Sequence, residues 1–349
     1  MRVDELDTPV AVVDLDCLEV NVARLQAYLS EHGIANRPHI KTHKIPAIAQ
    51  MQIDAGAIGI TCQKIGEAEV MAQAGIHDIF IPYNIIGAAK LNRLMQLARR
   101  ATISVTADAI VVARDLSDAA QRAELALSVL VECDTGGRRC GVQSPAEAAE
   151  LARSIARLPN LRFGGLMTYP NTEHLDAFVR ETKALLATDG LTVERVSGGG
   201  TGGMWQAHTH HELTEHRAGM YIYGDRLTIQ SGAVTLDTCS FSIITTVVSR
   251  PTRERGILDA GSKVFSSDLI DLDGHGYICQ YPQARIYMLS EEHGHVDVSA
   301  CERKPDIGER VTVIPNHCCS VTNLFDEVVG VRRGHVEVVW EVAARGAVR

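Results

Sequence analysis

Short apolar runs alternate with amphipathic helical patterns over the first two thirds of the chain. Residues 10–15 predict a strand, and apolar residues at helical spacing from Leu18 to Leu29 predict an amphipathic helix. Further helical patterns cover residues 67–73, 88–99 and 146–158. Further strands are predicted at residues 37–41, 57–62, 78–82, 102–106, 126–133, 162–168, 192–197 and 219–223. About eight strand–helix units in succession favour an α/β fold built on a (β/α)₈ barrel.

The pattern changes after about residue 232, where strands separated by turns replace the alternation. These strands are predicted at residues 240–248, 256–258, 285–289, 295–299, 310–314 and 336–342. Few helical patterns remain, so this part predicts a mainly β domain. We therefore expect a barrel over residues 7–235 and a mainly β C-terminal domain over 236–349, which residues 1–6 could join.

Composition and charge narrow the functional classes. A chain of 349 residues is long enough for a barrel and a second domain. The net charge of -9 is spread along the chain with no basic stripe, so we expect neither nucleic acid nor a membrane surface as a partner. The acidic N-terminal segment and the lack of a long apolar run predict a cytoplasmic protein. In that reducing compartment the nine cysteines are not expected to form a disulfide framework.

Reactive side chains follow one of the early predicted strands, where catalytic residues of a barrel are expected. The sequence there reads Arg-Pro-His-Ile-Lys-Thr-His-Lys over residues 37–44. A partly desolvated lysine has a lowered pKa and can form a Schiff base, which makes Lys41 a candidate. A solvated basic loop is the alternative explanation, and Lys44 fits that description.

A glycine-rich segment follows another predicted strand and reads Ser-Gly-Gly-Gly-Thr-Gly-Gly over residues 197–203. Consecutive glycines let backbone N–H groups approach an anion, and a hydroxyl adds a donor, so a phosphate is the expected ligand. A merely flexible loop is the alternative. The segment is not a Walker loop, because no Gly-Lys-Ser/Thr follows.

Residues 315–319 read Pro-Asn-His-Cys-Cys and contain two candidate metal ligands. In an extended segment alternate residues point to one side, so His317 and Cys319 could share a metal ion. Two protein ligands leave positions open for substrate and water. The denser cluster of His208, His210 and His211 is a weaker candidate, because no acidic or thiol partner accompanies it.

Taken together, these motifs resemble the D-threonine aldolase and D-serine dehydratase group, whose members have the alanine-racemase-like fold. The resemblance covers nearly the whole chain in one order. Its motifs are residues 7–9, 37–44, 59–64, 139–142, 198–202, 217–221, 258–261 and 315–319. Any one of these matches is modest, whereas the series in this order is specific.

The resemblance implies that Lys41 carries pyridoxal phosphate as a Schiff base. Arg217 matches an arginine that alanine racemase places near the pyridine nitrogen. The residues implied to hold the phosphate are Gly199, Gly200, Thr201 and Gly202, together with Gly219 and Met220. Tyr221, of the same motif, is implied to bind the cofactor. Those implied to line the cofactor or substrate are Gln63, Arg139 and Tyr169. From residue type alone, Arg139 could equally be an exposed loop charge and Tyr169 an aromatic of the barrel rim.

His317 and Cys319 occupy the positions of the group's metal ligands. Their His-x-Cys pattern resembles dehydratases, whereas residues 62–64 and the complete glycine segment resemble D-threonine aldolases. We therefore favour retro-aldol cleavage of a small β-hydroxy D-amino acid to glycine and an aldehyde. The base would be a hydroxide on the metal, His174 or His43. A thiolate favours zinc, although open sites also accept manganese or magnesium.

Three alternatives use the same fold. A dehydratase would release a 2-oxo acid and ammonia, with Lys41 removing the Cα proton. A non-catalytic pyridoxal-phosphate carrier would have no use for the β domain or for His317 and Cys319, and a racemase would have no use for a metal. The resemblance also implies a homodimer.

Overall fold

The computed structural model describes residues 1–349 and contains seventeen strands and ten α-helices. The strands are β1 Val10–Asp14, β2 Ala35–Asn36, β3 Ile60–Thr61, β4 Asp78–Ile81, β5 Thr102–Ala107, β6 Leu127–Cys133, β7 Leu161–Thr168, β8 Val196–Gly198, β9 Glu215–His216, β10 Phe241–Ser249, β11 Arg255–Leu258, β12 Tyr277–Ile278, β13 Arg285–Leu289, β14 Gly294–Asp297, β15 Arg310–Ile314, β16 Glu327–Arg332 and β17 His335–Glu341. The helices are α1 Leu15–Glu31, α2 Pro46–Asp54, α3 Ile65–Gln73, α4 Ala88–Ala98, α5 Ile110–Ala123, α6 Pro145–Arg157, α7 Leu175–Ala187, α8 Arg226–Gln230, α9 Ser262–Phe265 and α10 Cys318–Thr322. None of these helices has both the length and the hydropathy needed to cross a membrane.

The chain forms two compact units. The barrel unit comprises Arg24–Lys41, Pro46–Gly219 and Ala347–Arg349, and the β unit comprises Met1–Ala23, Thr42–Ile45 and Met220–Gly346. These limits differ from the expected division into residues 7–235 and 236–349. The N-terminal difference has a simple cause, because β1 pairs with β10 and β16 of the β unit rather than with a barrel strand.

Eight parallel strands make up the sheet of the barrel unit, in the order β2-β9-β8-β7-β6-β5-β4-β3. The two ends of this order meet, because the Ile58 N–H donates to the Asn36 carbonyl (2.9 Å) and the Thr61 N–H to the Pro38 carbonyl (2.8 Å). The sheet is therefore closed, with helices between most of its strands. Both the predicted barrel and the mainly β second domain are confirmed.

Individual strand predictions fared unequally. The four predicted from residue 78 to 168 correspond to β4–β7, whereas 37–41 and 219–223 are wrong as strands. In their place are 3₁₀ helices at Ile40–Thr42 and Met220–Ile222. The ninth strand, β9, was missed because its residues Glu215 and His216 are polar and yet buried, so no apolar run marks it.

Glu215 is buried because two arginines neutralise it inside the barrel unit. Its carboxylate accepts from Arg37 Nε (3.1 Å) and Arg195 Nη2 (2.8 Å). Burial alone would raise the pKa of Glu215, but the two guanidinium groups outweigh it and bring the pKa to about 2. The barrel interior is thus partly ionic, beside an apolar cluster of Phe80, Leu130 and Met167.

Helix α6 illustrates how the local sequence produces the outer layer. The hydroxyl of Ser144 accepts from the Glu147 N–H (3.2 Å) at the helix start, and Pro145 occupies the first helical position. Buried residues recur along one face at Ala148, Ala149, Leu151, Ala152 and Ile155. This is the amphipathic spacing from which the helix was predicted.

The β unit contains a second sheet, ordered β13-β14-β11-β10-β1-β16-β17, in which β15 also pairs with β10 and with β12. All its pairs are antiparallel except β1 with β16. Along β10 the residues Phe241, Ile243, Thr245 and Val247 are buried and alternate with more exposed ones. That alternation is typical of a sheet with one covered face.

Candidate active site

Most residues proposed to bind the cofactor lie in the segments that follow the C-terminal ends of barrel strands. In a parallel barrel these ends meet at one rim. After β2, β3, β6, β7, β8 and β9 come, respectively, Lys41, Gln63, Arg139, Tyr169, the glycine loop (residues 199–203) and Arg217. The fold therefore brings to one rim residues that are far apart in the sequence.

Lys41 is half-buried in the 3₁₀ helix Ile40–Thr42, next to a histidine that links it to β3. The Lys41 N–H donates to Nδ1 of His39 (3.4 Å), and Nε2 of His39 lies 3.1 Å from Oε1 of Gln63. Because Nδ1 accepts, the geometry assigns the imidazole proton to Nε2, which donates to Gln63. This chain of contacts fixes the backbone that carries the lysine.

The glycine loop has backbone donors without partners. The N–H groups of residues 199–202 donate to no acceptor in the protein. Gly199 has a φ of +78°, a left-handed conformation that glycine adopts without strain. Cβ atoms built on Gly202 and Gly203 would meet nothing within 4 Å, so the loop borders open space. Such a loop suits an anion with several oxygens.

Thr201 adds a side-chain donor to this loop. Its Oγ1 accepts from the Gly219 N–H (3.3 Å), so the hydroxyl proton remains able to donate to a ligand. Met220 and Tyr221 fall in the 3₁₀ helix Met220–Ile222 of the β unit, and Tyr221 is buried. A part for Met220 in phosphate binding, and for Tyr221 in cofactor binding, stays a prediction.

Arg217 is fully enclosed and firmly oriented. Its Nη1 donates to Oγ of Ser197 (2.6 Å) and its Nη2 to the Thr168 carbonyl (3.0 Å). Burial lowers the pKa of Arg217 to about 10, opposed by the charge of Glu215. The guanidinium therefore stays charged at neutral pH, as expected of an arginine beside a pyridine nitrogen.

Arg139 and Tyr169 form one contact group at the rim. The Arg139 guanidinium carbon lies 4.8 Å from the centre of the Tyr169 ring, and Arg139 Nη2 is 3.6 Å from Oε1 of Glu132. Tyr169 in turn lies beside the glycine loop, since a Cβ on Gly200 would be 2.7 Å from its Cε2. Burial raises the pKa of Glu132, while the charge of Arg139 opposes that shift.

These features pass a simple test for pyridoxal phosphate. Unpaired N–H groups and a threonine hydroxyl match the phosphate, Arg217 matches a ring nitrogen, and a lysine amine is present on the same rim. Each of these groups belongs to the barrel unit. The donor set and the open space beside it fit a phosphorylated pyridine aldehyde.

The candidate metal ligands lie in the β unit, at the start of α10. His317 is the residue before this helix and Cys319 lies in its first turn, so the expected extended conformation is wrong. The two side chains are nevertheless hydrogen-bonded to each other. Thr42 Oγ1 lies 3.2 Å from Cys319 Sγ, and Asp268 Oδ2 lies 3.7 Å from His317 Nδ1. We call His317 and Cys319 the His/Cys pair.

Within the His/Cys pair the pKa of the thiol is lowered and the pKa of the imidazole is raised. Hydrogen bonds from Cys318 and His317 lower the pKa of Cys319 well below its usual range, against the effect of burial. Burial opposes protonation of His317, but Cys319 outweighs it and raises the pKa. No group of three or more His, Cys, Asp or Glu side chains in the chain is arranged to hold a metal. The pair alone offers one nitrogen and one sulfur donor, which suit zinc.

The two candidate bases have contrasting surroundings. His43 is fully buried; its Nδ1 accepts from the Ile45 N–H (3.1 Å), and its ring is edge-on to Tyr223. His174, just before α7, has a side chain that is 69% exposed and lies 3.7 Å from Glu173. His208, from the histidine cluster, stacks on His32 at 4.5 Å.

Sequence reasoning missed four residues that contact the site. His39 and Glu132 touch its predicted members, and His216 bonds the glycine loop. Asn171 has both amide atoms buried without a hydrogen-bond partner, and it packs against Gly198. The only signal for the two histidines was their closeness in sequence to Lys41 and Arg217. Nothing in the sequence marked Asn171 or Glu132.

Two family models and several relatives match this chain. A family described as alanine racemase, N-terminal domain, matches residues 13–227, and one described as putative serine dehydratase domain matches residues 240–331. A D-threonine aldolase of Arthrobacter sp is 36% identical over 98% of this chain and 93% of its own. A 3-hydroxy-D-aspartate aldolase of Paracoccus denitrificans (strain Pd 1222) is 33% identical over 99% and 94%.

Solved structures of an aldolase and of a dehydratase are also similar to this chain. D-threonine aldolase from Filomicrobium marinum matches with a TM-score of 0.91 and 33% identity, over 99% of this chain and 97% of that one. D-threo-3-hydroxyaspartate dehydratase from Delftia sp. HT23 matches with a TM-score of 0.86 and 29% identity, over 97% and 98%. Two further dehydratase structures replace a histidine, or a cysteine two residues later, by alanine, and the cysteine variant is described as metal-free.

Relatives above 30% identity that span almost the whole chain establish the family. The predicted resemblance is confirmed by both family matches and by the solved aldolase structure. The chain therefore belongs to the D-threonine aldolase and D-serine dehydratase group of pyridoxal-phosphate-dependent lyases, which have the alanine-racemase-like fold.

Proposed function

We propose that this enzyme cleaves D-threonine and related small β-hydroxy D-amino acids by a retro-aldol reaction to glycine and an aldehyde. The observation that carries the proposal is the row of unpaired N–H groups on the barrel rim that also bears Lys41. That arrangement suits pyridoxal phosphate. Relatives with the aldolase name match at 36% and 33% identity over nearly the full chain, which favours this reaction.

The cofactor would be held by groups whose positions the fold fixes. Bound pyridoxal phosphate supplies an aldehyde for amines and a ring system that accepts the electron pair of the broken Cα–Cβ bond. The Lys41 amine would hold that aldehyde before substrate arrives, and the glycine loop with Thr201 would bind the phosphate. Arg217, held by Ser197 and Thr168, would place a permanent cation at the ring nitrogen and so weaken the ring as an electron acceptor.

The His/Cys pair would hold a divalent metal ion, zinc, manganese or magnesium. Such an ion supplies Lewis acidity that lowers the pKa of the substrate β-hydroxyl. Support comes from the lowered pKa of Cys319, which favours the thiolate form that binds metals, and from the dehydratase with a histidine and a cysteine at the same spacing. The Thr42 hydroxyl, 3.2 Å from Cys319 Sγ, would restrain that ligand.

A base must take the proton of the substrate hydroxyl. His43 is poorly suited, because its Nδ1 already accepts a backbone N–H and its own proton therefore sits on Nε2. His174 has an exposed ring and is the better side-chain candidate. We expect His174→Ala to lower kcat about 10²-fold, the usual scale for loss of a general base, and His174→Gln to do the same.

A dehydratase is the second candidate function, and the His-x-Cys spacing is the observation that favours it. In that reaction Lys41 would remove the Cα proton, and the hydroxyl would leave as water. The products would be a 2-oxo acid and ammonia. Which bond breaks depends on which one stands perpendicular to the cofactor ring.

The deciding experiment supplies purified holoenzyme with D-threonine, D-serine and D-threo-3-hydroxyaspartate, each with and without a chelator. Glycine and 2-oxo acids are measured separately, with Lys41→Ala as the inactive control. Chelator-sensitive glycine from D-threonine supports the aldolase proposal. Oxo acid without glycine would replace it by the dehydratase, and activity that survives chelation would remove the metal from the mechanism.

We further propose that the enzyme is a homodimer, in keeping with the resemblance from which we predicted that state. The cytoplasmic location expected from the sequence stays a prediction. Light scattering coupled to size-exclusion chromatography measures the mass of the particle in solution. Twice the chain mass of 37.9 kDa is expected, and a monomer at all concentrations would overturn the proposal.

A further inference from the structure

His216, the last residue of β9, is completely buried behind the glycine loop. Its Nε2 lies 3.1 Å from the carbonyl oxygen of Gly200. The imidazole also packs against Gly199, where a Cβ would come within 2.1 Å of the ring carbon Cε1. The histidine therefore touches two consecutive residues of the loop through two different contacts.

The proton of His216 has a defined place. Burial, aided by the nearby charge of Arg217, lowers the pKa of His216 to about 4, so the ring is neutral at physiological pH. A carbonyl oxygen can only accept, so the single ring proton lies on Nε2 and is donated to Gly200. Nδ1 is left as a buried acceptor with no hydrogen-bond partner.

This hydrogen bond sets the direction of the next donor. In a planar trans peptide the carbonyl of one residue and the N–H of the next point in opposite directions. Because the Gly200 carbonyl points at His216, the Thr201 N–H must point away from it. That N–H is one of the four loop donors without a partner in the protein. The reversed peptide would instead turn a carbonyl oxygen toward an approaching anion.

We propose that His216 is a positioning residue for phosphate binding, which holds the Gly200 peptide so that the Thr201 N–H, and not the Gly200 oxygen, faces the cofactor phosphate. This inference rests on the proposed cofactor site. Gly199 takes part in it, because only a residue without a side chain lets the imidazole approach the loop so closely. His216 acts through the loop and need not touch the phosphate itself.

A purely structural role for His216 makes a different prediction. If the ring only fills space, its loss would weaken the binding of any ligand at the rim, with or without a phosphate. If it orients the peptide, its loss would weaken only ligands that carry the phosphate. The ratio of the dissociation constants for pyridoxal and for pyridoxal phosphate separates these cases.

The test uses equilibrium dialysis of the apoenzyme with each of the two compounds. His216→Phe keeps a ring but lacks the donor, and His216→Asn places its amide too short of the Gly200 carbonyl. His216→Gln extends an amide N–H to about the position of Nε2 and should restore the contact. In the Phe and Asn variants we expect the preference for pyridoxal phosphate over pyridoxal to fall about tenfold, the scale of a hydrogen bond to a charged group. In the Gln variant this preference should stay within about twofold of wild type.

Two controls keep the proposal open to disproof. His208→Asn makes the same exchange elsewhere in the 3₁₀ helix Thr201–Thr209 and should leave the ratio unchanged. If His216→Phe does not fold, the Asn and Gln variants decide alone. Equal ratios in all variants, or an equal loss with Gln and Asn, would overturn the role of His216. A wild-type protein that binds both compounds equally would instead refute the phosphate site itself.

Discussion

The barrel rim and the His/Cys pair hold their reactive groups by different means. At the rim, main-chain donors of the glycine loop and side chains fixed by neighbouring strands form the site, as when Ser197 and Thr168 orient Arg217. In the β unit, His317 and Cys319 restrain each other, with Thr42 as a further contact. A site of main-chain donors tolerates exchange of many side chains. A site of two side chains does not tolerate the loss of either.

The largest effect on kcat is expected for Lys41, because no main-chain group can replace its amine. Lys41→Ala should lower kcat at least about 10³-fold, because the amine that forms a covalent link is lost. Steady-state assays with D-threonine measure this change. Lys90→Ala, on the exposed side of α4, is the matched control and should leave kcat unchanged. A Lys41 variant within tenfold of wild type would remove the lysine from its role.

Glu215→Gln tests how much the buried ion pairs of Glu215 contribute to the stability of the barrel unit. Removing one charge leaves Arg195 without an acidic partner and Arg37 with Asp78 alone. The free energy of unfolding should therefore fall by about 3–5 kcal/mol in urea titrations at neutral pH. Glu212→Gln, which breaks the more exposed pair with Lys183, should cost under about 1 kcal/mol. Equal losses in the two variants would contradict a special role for the buried network.

The same network predicts an acid dependence. The pKa of Glu215 is about 2, below the ordinary value of 4.5, so its stabilisation is present above the ordinary value and is lost as the pH falls toward 2. The wild type should therefore lose stability over this window, and the Glu215→Gln variant should lose less over the same window. Parallel urea titrations of the two proteins between about pH 5 and pH 3 measure the difference. Identical slopes would contradict the assigned shift.

Cys319→Ala tests the role of the His/Cys pair. The variant should lose its bound metal and about 10²-fold in kcat, while it binds pyridoxal phosphate as wild type does. Elemental analysis and dialysis measure the two properties separately. Cys279→Ala, at an exposed position of the same unit, is the control. Joint loss of metal and cofactor would contradict the expectation that Cys319 serves the metal alone.

The smallest effect is expected for Gly202→Ala. Its Cβ would meet nothing within 4 Å, so the free energy of unfolding should change by no more than about 0.5 kcal/mol. Gly199→Ala, three positions away, would strike the ring of His216 at a φ of +78° and should lower the melting temperature clearly. A Gly202 variant as unstable as the Gly199 variant would contradict the open space beside the loop.

The sequence predicted those features that depend on apolar periodicity or on glycine. Strands β4–β7 contain short apolar stretches such as Ile79–Ile81 and Val129–Val131, and the glycine loop is marked by residue type alone. It did not predict β9, because Glu215 is buried only through arginines that are distant in sequence. The His/Cys pair was found for a reason that proved wrong, since α10 and not an extended segment carries Cys319.

The position of β1 has a consequence for synthesis of the chain on the ribosome. This strand is made first, yet its partners β10 and β16 begin only at Phe241 and Glu327. All eight strands of the closed sheet are complete once His216 has emerged, so that sheet can form while β1 still lacks both neighbours. Until β10 has been made, the nascent protein exposes β1 without any partner strand, and one edge of β1 stays open until β16 follows. An unpaired strand edge of this kind is one that chaperones protect from aggregation.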